Sequence, residues 1–174
     1  EVDAEANSLL KRVYAEQDTI QGLVQRLQAL RRSQNARDVS LYEAVVTNLL
    51  DEYRFFSKYP DKELRITGNV FGNLIQYALL PSPELLCAQP AATLAYARPR
   101  RAVSARTSQN QCLFGCVCRR DTALQYLCDA LRQPAGSKMF VFGVCALEQA
   151  QWRIPDFPQQ CALILQLPSV AQAS

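Results

Sequence analysis

The stretch IQGLVQRLQAL, residues 20–30, decides the fold class of this chain. Its apolar residues recur at spacings of three and four, which is the period of an α-helix that buries one stripe. These residues are Ile20, Leu23, Val24, Leu27 and Leu30. Because most of the positions between them are glutamine or arginine, the stretch predicts an amphipathic helix packed on a core through one face.

The same helical period continues along most of the chain, and no stretch alternates as a half-buried strand would. Pro60 can begin a helix without losing a backbone hydrogen bond, and Pro81 and Pro83 can stop it. Asp18 and Asp121 are expected as N-caps, and Asp156 or Pro155 is expected to open the last helix. The predicted helices cover about residues 3–16, 18–33, 39–56, 60–80, 121–133, 137–152 and 156–167.

Helices of this length joined by short turns predict an all-α fold. Antiparallel pairs stacked as a HEAT-type solenoid fit better than a coiled coil, because no heptad is sustained. The chain of 174 residues is long enough for one core, so a single domain over 1–174 is expected. Phe55, Phe56, Phe71 and Phe142 are assigned to that core, and Gly72 and Gly143 to close contacts between helices.

Residues 82–119 break the pattern and predict a loop insertion, since so long a structureless connection is unusual inside a compact domain. The insertion contains Cys112, Cys116 and Cys118, but a structural zinc site needs four ligands. The fourth would have to be the distant Cys87 or Cys128. Incidental thiols are therefore favoured over zinc, and no metal or cofactor is predicted.

The composition excludes many classes of function. The chain contains no histidine, which removes serine–histidine and cysteine–histidine catalysis and every histidine-containing zinc site. Its seven cysteines are an odd number, so free thiols are expected rather than a disulfide framework. No apolar run approaches 18 residues and the first residues are acidic, so we expect a soluble, intracellular protein without a signal peptide or a membrane span.

Catalytic constellations are also missing from the sequence. Asp51 and Glu52 are adjacent, so they point in different directions on a helix, and Asp61 and Glu63 are explained as partners of a helix dipole. The glycines are isolated and form no phosphate-binding loop. A protein that is not an enzyme is therefore expected.

Several motifs together resemble a known family. The stretches NLLDEYRFF (residues 48–56) and YPDKEL (59–64) are the most specific, and GSKMF (136–140) with Phe142-Gly143 supports them. They resemble the tristetraprolin-binding domain of the large NOT-one scaffold subunit of the CCR-NOT deadenylase complex. The resemblance covers residues 5–80 and 121–165.

This resemblance implies a HEAT-type module similar in architecture to the middle domain of initiation factor four-G. Its implied role is to hold a C-terminal helical peptide of tristetraprolin-type proteins, which bind AU-rich mRNA, in a groove. The family's groove contacts match Asn7, Tyr14, Glu52 and Tyr59 here, and Leu10 could line the floor. The tyrosines offer rigid apolar area with a polar tip, and Glu52 can pair with a peptide arginine.

The resemblance further implies partners and a location. Other CCR-NOT subunits would bind the rest of the scaffold chain, mRNA would be reached only indirectly, and the domain would be a monomer that does not contact membranes. A cytoplasmic location that includes P-bodies is implied, with the nucleus as a further option. The alternative is an RNA- or zinc-binding module that acts through the basic, cysteine-containing segment 98–120.

Overall fold

The computed structural model describes residues 2–80 and 119–167, with side chains in the second segment from 122 onward. Every regular element in these two segments is a helix, so the all-α prediction is confirmed. The expected insertion with its cysteines and its basic residues lies outside the described residues, apart from Arg119. The α-helices are α1 (Val2–Tyr14), α2 (Ile20–Arg32), α3 (Ala36–Asp51), α4 (Asp61–Gln76), α5 (Arg119–Leu131), α6 (Lys138–Ala150) and α7 (Pro158–Leu165), and the 3-10 helices are Glu52–Lys58 and Ile154–Asp156.

The helices pack as the solenoid prediction requires. α1 packs against α3, and the even-numbered helices form a second row in which α4 contacts both α2 and α6. The Arg31 side chain near the end of α2 donates a hydrogen bond to the carbonyl of Ala78, just beyond α4. The carboxyl ends of α2 and α4 therefore meet, and the odd-numbered helix between them returns the chain.

Glycines allow α4 and α6 to approach until their backbones touch. A Cβ atom at Gly68 would lie 2.8 Å from the carbonyl oxygen of Phe142, and one at Gly72 would lie 2.7 Å from Cβ of Gln149. Both distances are shorter than real Cβ contacts. Gly143, on α6, similarly faces Leu131 of α5, so the assignment of Gly72 and Gly143 to helix packing is confirmed.

The core contains most of the residues that the sequence assigned to it. Three of the four phenylalanines are fully buried: Phe56, Phe71 and Phe142. The assignment of Phe55 was wrong, because its side chain is 44% exposed and lies under Arg54 and Lys58. The predicted third helix ran to residue 56, but the chain tightens to a 3-10 helix at Glu52. At about 100° per residue, Phe55 already lies about 120° around a regular helix from the buried Leu49, whereas Phe56 lies within about 20° of it, so Phe55 falls beside the core face.

The second helix has a different N-cap from the predicted one. Thr19 is the N-cap of α2, and its side chain accepts a hydrogen bond from the backbone N–H of Gly22 at 3.0 Å. Asp18 instead forms an exposed ion pair with Arg12 at 3.0 Å. A threonine can cap a helix as an aspartate can, and the prediction of Asp18 was wrong by one residue.

The later helices also begin elsewhere. α5 already begins at Arg119, so Asp121 is a residue of its first turn and not its cap. Pro155 and Asp156, which were expected to open the last helix, belong to a separate 3-10 helix. α7 begins after it, at Pro158. Leu165, the last residue of α7, is 66% exposed.

The fourth helix ends at Gln76, before the predicted residue 80. Ala78 has a φ of +52°, and the N–H of Leu79 donates to the carbonyl of Leu74 at 2.8 Å. This is a left-handed helix ending of the kind that glycine usually provides. The hydroxyl of Tyr42 donates to the carbonyl of Leu79, which fixes the end of α4 to α3.

The described part of the chain contains neither a candidate membrane-spanning helix nor a candidate metal-binding group of three side chains. Over residues 2–80 and 119–167, no helix is both long and apolar enough to cross a bilayer. Over the same residues, no three metal-ligating side chains come together.

Candidate functional site

The residues assigned to a groove on α1 share one face of that helix. Asn7, Leu10 and Tyr14 are spaced by three and four residues, so they lie above one another along two turns. Asn7 is exposed and Leu10 is buried, which makes Leu10 part of the floor. The side chain of Asn48 on α3 donates a hydrogen bond to Oδ1 of Asn7 at 3.1 Å. The polar edge of this face is therefore shared by α1 and α3.

Four side chains meet where α1, the 3-10 helix and α4 converge. The Tyr59 hydroxyl donates a hydrogen bond to a carboxylate oxygen of Glu52. The rings of Tyr14 and Tyr59 meet edge to face, with their centres 6.4 Å apart. The hydroxyl oxygens of Tyr14 and Thr67 are hydrogen-bonded at 3.2 Å. The structure thus joins Tyr14, Glu52 and Tyr59 into one cluster. We call these three residues and Thr67 the tyrosine cluster.

The tyrosine cluster rests on the hydrophobic core. The ring of Phe56, which is fully buried, lies 5.3 Å from that of Tyr59 and 5.1 Å from that of Phe142. Aromatic rings at such distances attract one another through their edges and faces. The position of Tyr59 is therefore set by the core below it.

The second half of the chain holds Tyr59 from the other side. Lys138, the first residue of α6, donates a hydrogen bond to the backbone carbonyl of Tyr59 at 2.8 Å and pairs with Asp61 at 3.3 Å. The structure makes Lys138 a helix-end partner that fixes the backbone of the tyrosine cluster.

The electrostatics of the tyrosine cluster favour neutral tyrosines. Burial raises the pKa of Tyr14, the hydrogen bond with Thr67 lowers it, and the negative charges of Glu52 and Glu63 raise it. Burial also raises the pKa of Tyr59, and the hydrogen bond to Glu52 adds to this effect. Both hydroxyls are consequently protonated at neutral pH and serve as hydrogen-bonding groups rather than as bases.

Glu63 belongs to this site, although the sequence assigned it only to the helix dipole. Its backbone carbonyl accepts a hydrogen bond from the Thr67 hydroxyl at 2.7 Å, which places it one turn before Thr67 on α4. Its carboxylate oxygen Oε2 is shielded from solvent and has no hydrogen-bond partner among the described residues. The only signal in the sequence was the spacing of four residues between Glu63 and Thr67.

The arrangement is suited to recognition. The two tyrosines are partly exposed, rigid and polar at their tips, as are many residues that dominate binding interfaces. Asn7 and Asn48 add amide groups that can bond a peptide backbone.

Comparison with known families identifies the domain. The model of the family described as the CCR4-NOT transcription complex subunit 1 TTP binding domain matches residues 1–94 and 110–174. The chain belongs to this family. The resemblance seen in the sequence is thereby confirmed, and the unmatched residues, 95–109, fall inside the expected insertion.

Similar proteins carry corresponding names. The chain is 32% identical over 170 residues to General negative regulator of transcription subunit 1 of Schizosaccharomyces pombe, covering 98% of this chain and 6% of that protein. It is 22% identical over 174 residues to CCR4-NOT transcription complex subunit let-711 of Caenorhabditis elegans, covering 99% of this chain and 5% of that protein. The chain thus spans only a small fraction of the length of these relatives.

A solved structure shares the fold of this CCR4-NOT subunit 1 domain. The N-terminal domain of the yeast Not1 superposes with a TM-score of 0.74 at 22% identity, covering 99% of this chain and 26% of that one. At this identity the likeness concerns the fold alone. It confirms the helical solenoid that the apolar periodicity predicted.

Proposed function

We propose that this chain is a non-enzymatic docking domain in the large scaffold subunit of a CCR4-NOT-type deadenylase complex. Its occupant is a short helical peptide from the C-terminus of a tristetraprolin-type protein that binds AU-rich mRNA. Docking brings the deadenylases of the complex to the transcript, which leads to mRNA decay and translational repression. The remaining scaffold chain binds the other subunits, and the domain works in the cytoplasm, P-bodies included.

The tyrosine cluster is the observation that carries this proposal. Tyr14 and Tyr59 present two rings at a right angle, with Leu10 buried between the polar positions of α1. Such a surface has an apolar floor for one face of an amphipathic helix and polar groups at its edge. Asn7 and Glu52 provide that polar edge.

The name of the family supports the same assignment, since it describes TTP binding. The alternative of an RNA- or zinc-binding module depends on segment 98–120, which lies almost wholly outside the described residues. No observation on the described part of the chain favours that alternative.

The test is a titration of a fluorescein-labelled C-terminal peptide of a tristetraprolin-type protein, followed by anisotropy. Wild-type protein is expected to bind with a micromolar or lower dissociation constant. A micromolar dissociation constant corresponds to a binding free energy of about −8 kcal/mol. Tyr14→Ala removes a ring from the cluster and should weaken binding by about tenfold or more. Circular dichroism checks that the variant keeps its helices.

Tyr77→Ala is the matched control. Tyr77 is 41% exposed and follows the last residue of α4, at the end of the helix away from Tyr59. Its removal should change the peptide affinity by less than about twofold. No binding by the folded wild-type protein, or equal losses in both variants, would refute the docking proposal.

A further inference from the structure

A pocket opens between the amino-terminal halves of α4 and α6, and none of the tyrosine cluster residues line it. Its volume is about 80 Å³, whereas about 10 to 15 Å³ is enough to admit one water molecule. The pocket can therefore take a group larger than water, such as a carboxylate. Its lining residues are Asp61, Leu64, Arg65, Gly136, Lys138 and Val141.

Two cations in the lining have hydrogen-bond donors to spare. Among the described residues, no carboxylate oxygen lies within 4.0 Å of a side-chain nitrogen of Arg65. Lys138 uses its ammonium group for the carbonyl of Tyr59 and for Asp61, and an ammonium group has three donors. Both side chains can thus bind a further acceptor inside the pocket.

The contact between α4 and α6 keeps Arg65 at the edge of the pocket. Arg65 lies three residues before Gly68, whose added Cβ would be 2.8 Å from the carbonyl oxygen of Phe142 on α6. Its guanidinium group lies beside Cys145 of α6: burial raises the pKa of this thiol, and the positive charge of Arg65 opposes that effect. Glu148 also acts on Cys145 but is not part of the lining.

The charge of the lining matches a single negative charge. Asp61 is the one acid among the lining residues, and it is paired with Lys138 at 3.3 Å. The charge of Arg65 therefore remains unbalanced. A carboxylate supplies one negative charge, whereas a phosphate group carries about two near neutral pH and would be repelled more strongly by Asp61. The pocket is better matched to a carboxylate.

We propose that this pocket binds the carboxylate of a glutamate or aspartate side chain in an acidic segment of a partner protein. The guanidinium of Arg65 offers parallel N–H donors that fit the two oxygens of a carboxylate, and the free donor of Lys138 adds a third bond. Leu64, which is buried, and the half-buried Val141 form an apolar wall for the methylene groups of the acidic residue.

The pocket is also accessible from one side. Gly136 lies in the turn before α6, and nothing lies within 4 Å of the position that a Cβ would take there. An acidic side chain can enter past this turn without moving either helix. This site is separate from the proposed peptide groove and does not depend on it.

The experiment is an NMR titration of the isotope-labelled protein with a single capped residue, N-acetylglutamate N-methylamide. The backbone amide signals of Leu64, Gly136 and Val141 are expected to shift and to saturate, with a dissociation constant on the order of 1 mM for so small a ligand. The corresponding glutamine compound has the same shape without the charge and should produce no saturable shift.

Arg65→Gln removes the charge of the pocket at an exposed position. It should weaken binding of the glutamate compound by at least about fivefold. The matched control is Arg26→Gln, since Arg26 is an exposed arginine on α2 that has no carboxylate within 4.0 Å among the described residues. This change should alter the affinity by less than about twofold. Circular dichroism checks that both variants keep their helices.

Three results would overturn the proposal. Equal shifts with the glutamate and the glutamine compounds would mean that the charge is not recognised. An unchanged affinity in folded Arg65→Gln would mean that the pocket is not the site. Tighter binding of methyl phosphate than of the glutamate compound would show that the carboxylate is the wrong ligand class.

The outcome is independent of the proposed peptide docking. Because Arg65 lies outside the tyrosine cluster, Arg65→Gln should bind the tristetraprolin-type peptide as the wild-type protein does. Loss of glutamate binding with unchanged peptide binding supports two separate sites. If the wild-type protein binds the glutamate compound but not the peptide, the docking proposal fails and the pocket stands.

Discussion

At the scale of single residues, the tyrosines give the domain a specific response to alkaline pH. Burial, together with the charge of Asp129 and the neighbouring Tyr126, raises the pKa of Tyr53 to about 12. The pKa values of Tyr14, Tyr59 and Tyr126 are raised as well, each chiefly by burial. The folded state thus holds these protons more tightly than the unfolded chain, in which tyrosine has a pKa of about 10.

The predicted consequence is a loss of stability above pH 10. As the pH rises from about 10 towards 12, the unfolded state loses protons first, so the free energy of unfolding falls. Below pH 10 both states are protonated and this contribution is constant. Urea unfolding measured at a series of pH values checks the slope, and Tyr53→Phe should make it shallower.

Tyr53→Phe also removes the hydrogen bond from the Tyr53 hydroxyl to the carbonyl of Tyr126, 3.0 Å long. Below about pH 10, where Tyr53 keeps its proton, that loss lowers stability by about 1 kcal/mol. A free energy of unfolding that stays constant from about pH 9 to 11.5 would contradict the raised pKa values.

The same residues show how far a site can be predicted from sequence. Four predicted groove positions rested on resemblance, and the fifth, Leu10, on its place one turn before Tyr14. The structure joins Tyr14, Glu52 and Tyr59. Their role in binding remains a prediction. Glu63 could not be found in advance, because its meaning depends on Tyr14, which is 49 positions earlier in the chain and meets α4 only after folding.

At the scale of elements, the contact between α4 and α6 depends on the absence of side chains. A methyl group at Gly72 would collide with the backbone of Ala146, and helices cannot yield locally as a flexible side chain can. We therefore predict that Gly72→Ala destabilises the domain by about 3 kcal/mol, as expected for strong overpacking. Thermal or urea unfolding measures the loss.

Gly22→Ala is the matched substitution on α2. Gly22 is exposed, and the atom nearest to its added Cβ is a side-chain oxygen, Thr19 Oγ1, at 3.1 Å. Alanine favours a helix over glycine, so the change in stability should stay below about 1 kcal/mol in either direction. Equal losses at Gly22 and Gly72 would mean that helix propensity, and not the contact with α6, sets the effect.

The helices also show what apolar periodicity can and cannot predict. Apolar periodicity predicted every described α-helix, because burial on one face leaves a trace in the sequence wherever the helix is regular. It could not locate the change to a 3-10 helix at Glu52, since both helix types accept the same residues. Phe56 lies seven residues after the buried Leu49 and was placed correctly, whereas Phe55, six residues after it, lies off that face even in a regular helix.

At the scale of the whole molecule, the two ends of the even-numbered row have different surfaces. The tyrosine cluster lies at the amino ends of α4 and α6, where Lys138 contacts Tyr59. Trp152, the single tryptophan, follows the carboxyl end of α6 and is 79% exposed. An α-helix of this length separates the two points by about 20 Å.

Trp152 therefore serves as an internal control for the position of the peptide. Its fluorescence should resemble that of free tryptophan in water, and acrylamide should quench it freely. Addition of a saturating peptide should leave both properties unchanged. A shift in emission on peptide binding would contradict a binding site confined to the amino ends of α4 and α6.

The whole fold was predictable because a helical solenoid is built from contacts between neighbouring elements. The positions of its helices in sequence are nearly sufficient to order them in space. The exposed faces are less predictable: Leu165 continues the apolar pattern of the last helix and is still open to solvent. Sequence patterns state which residues are apolar, but not whether the fold has an element to cover them.

The hydrogen bond from Lys138 to Tyr59 has a consequence for how this domain can vary. All residues of the tyrosine cluster, and Glu63 beside it, come from the first 67 positions, and the second segment contributes only a support from α6. Additions or deletions between the two segments therefore leave the covalent path through the proposed binding surface untouched. Natural variants of this domain can differ in the length of that stretch while they keep the same specificity, as long as α6 still reaches Tyr59.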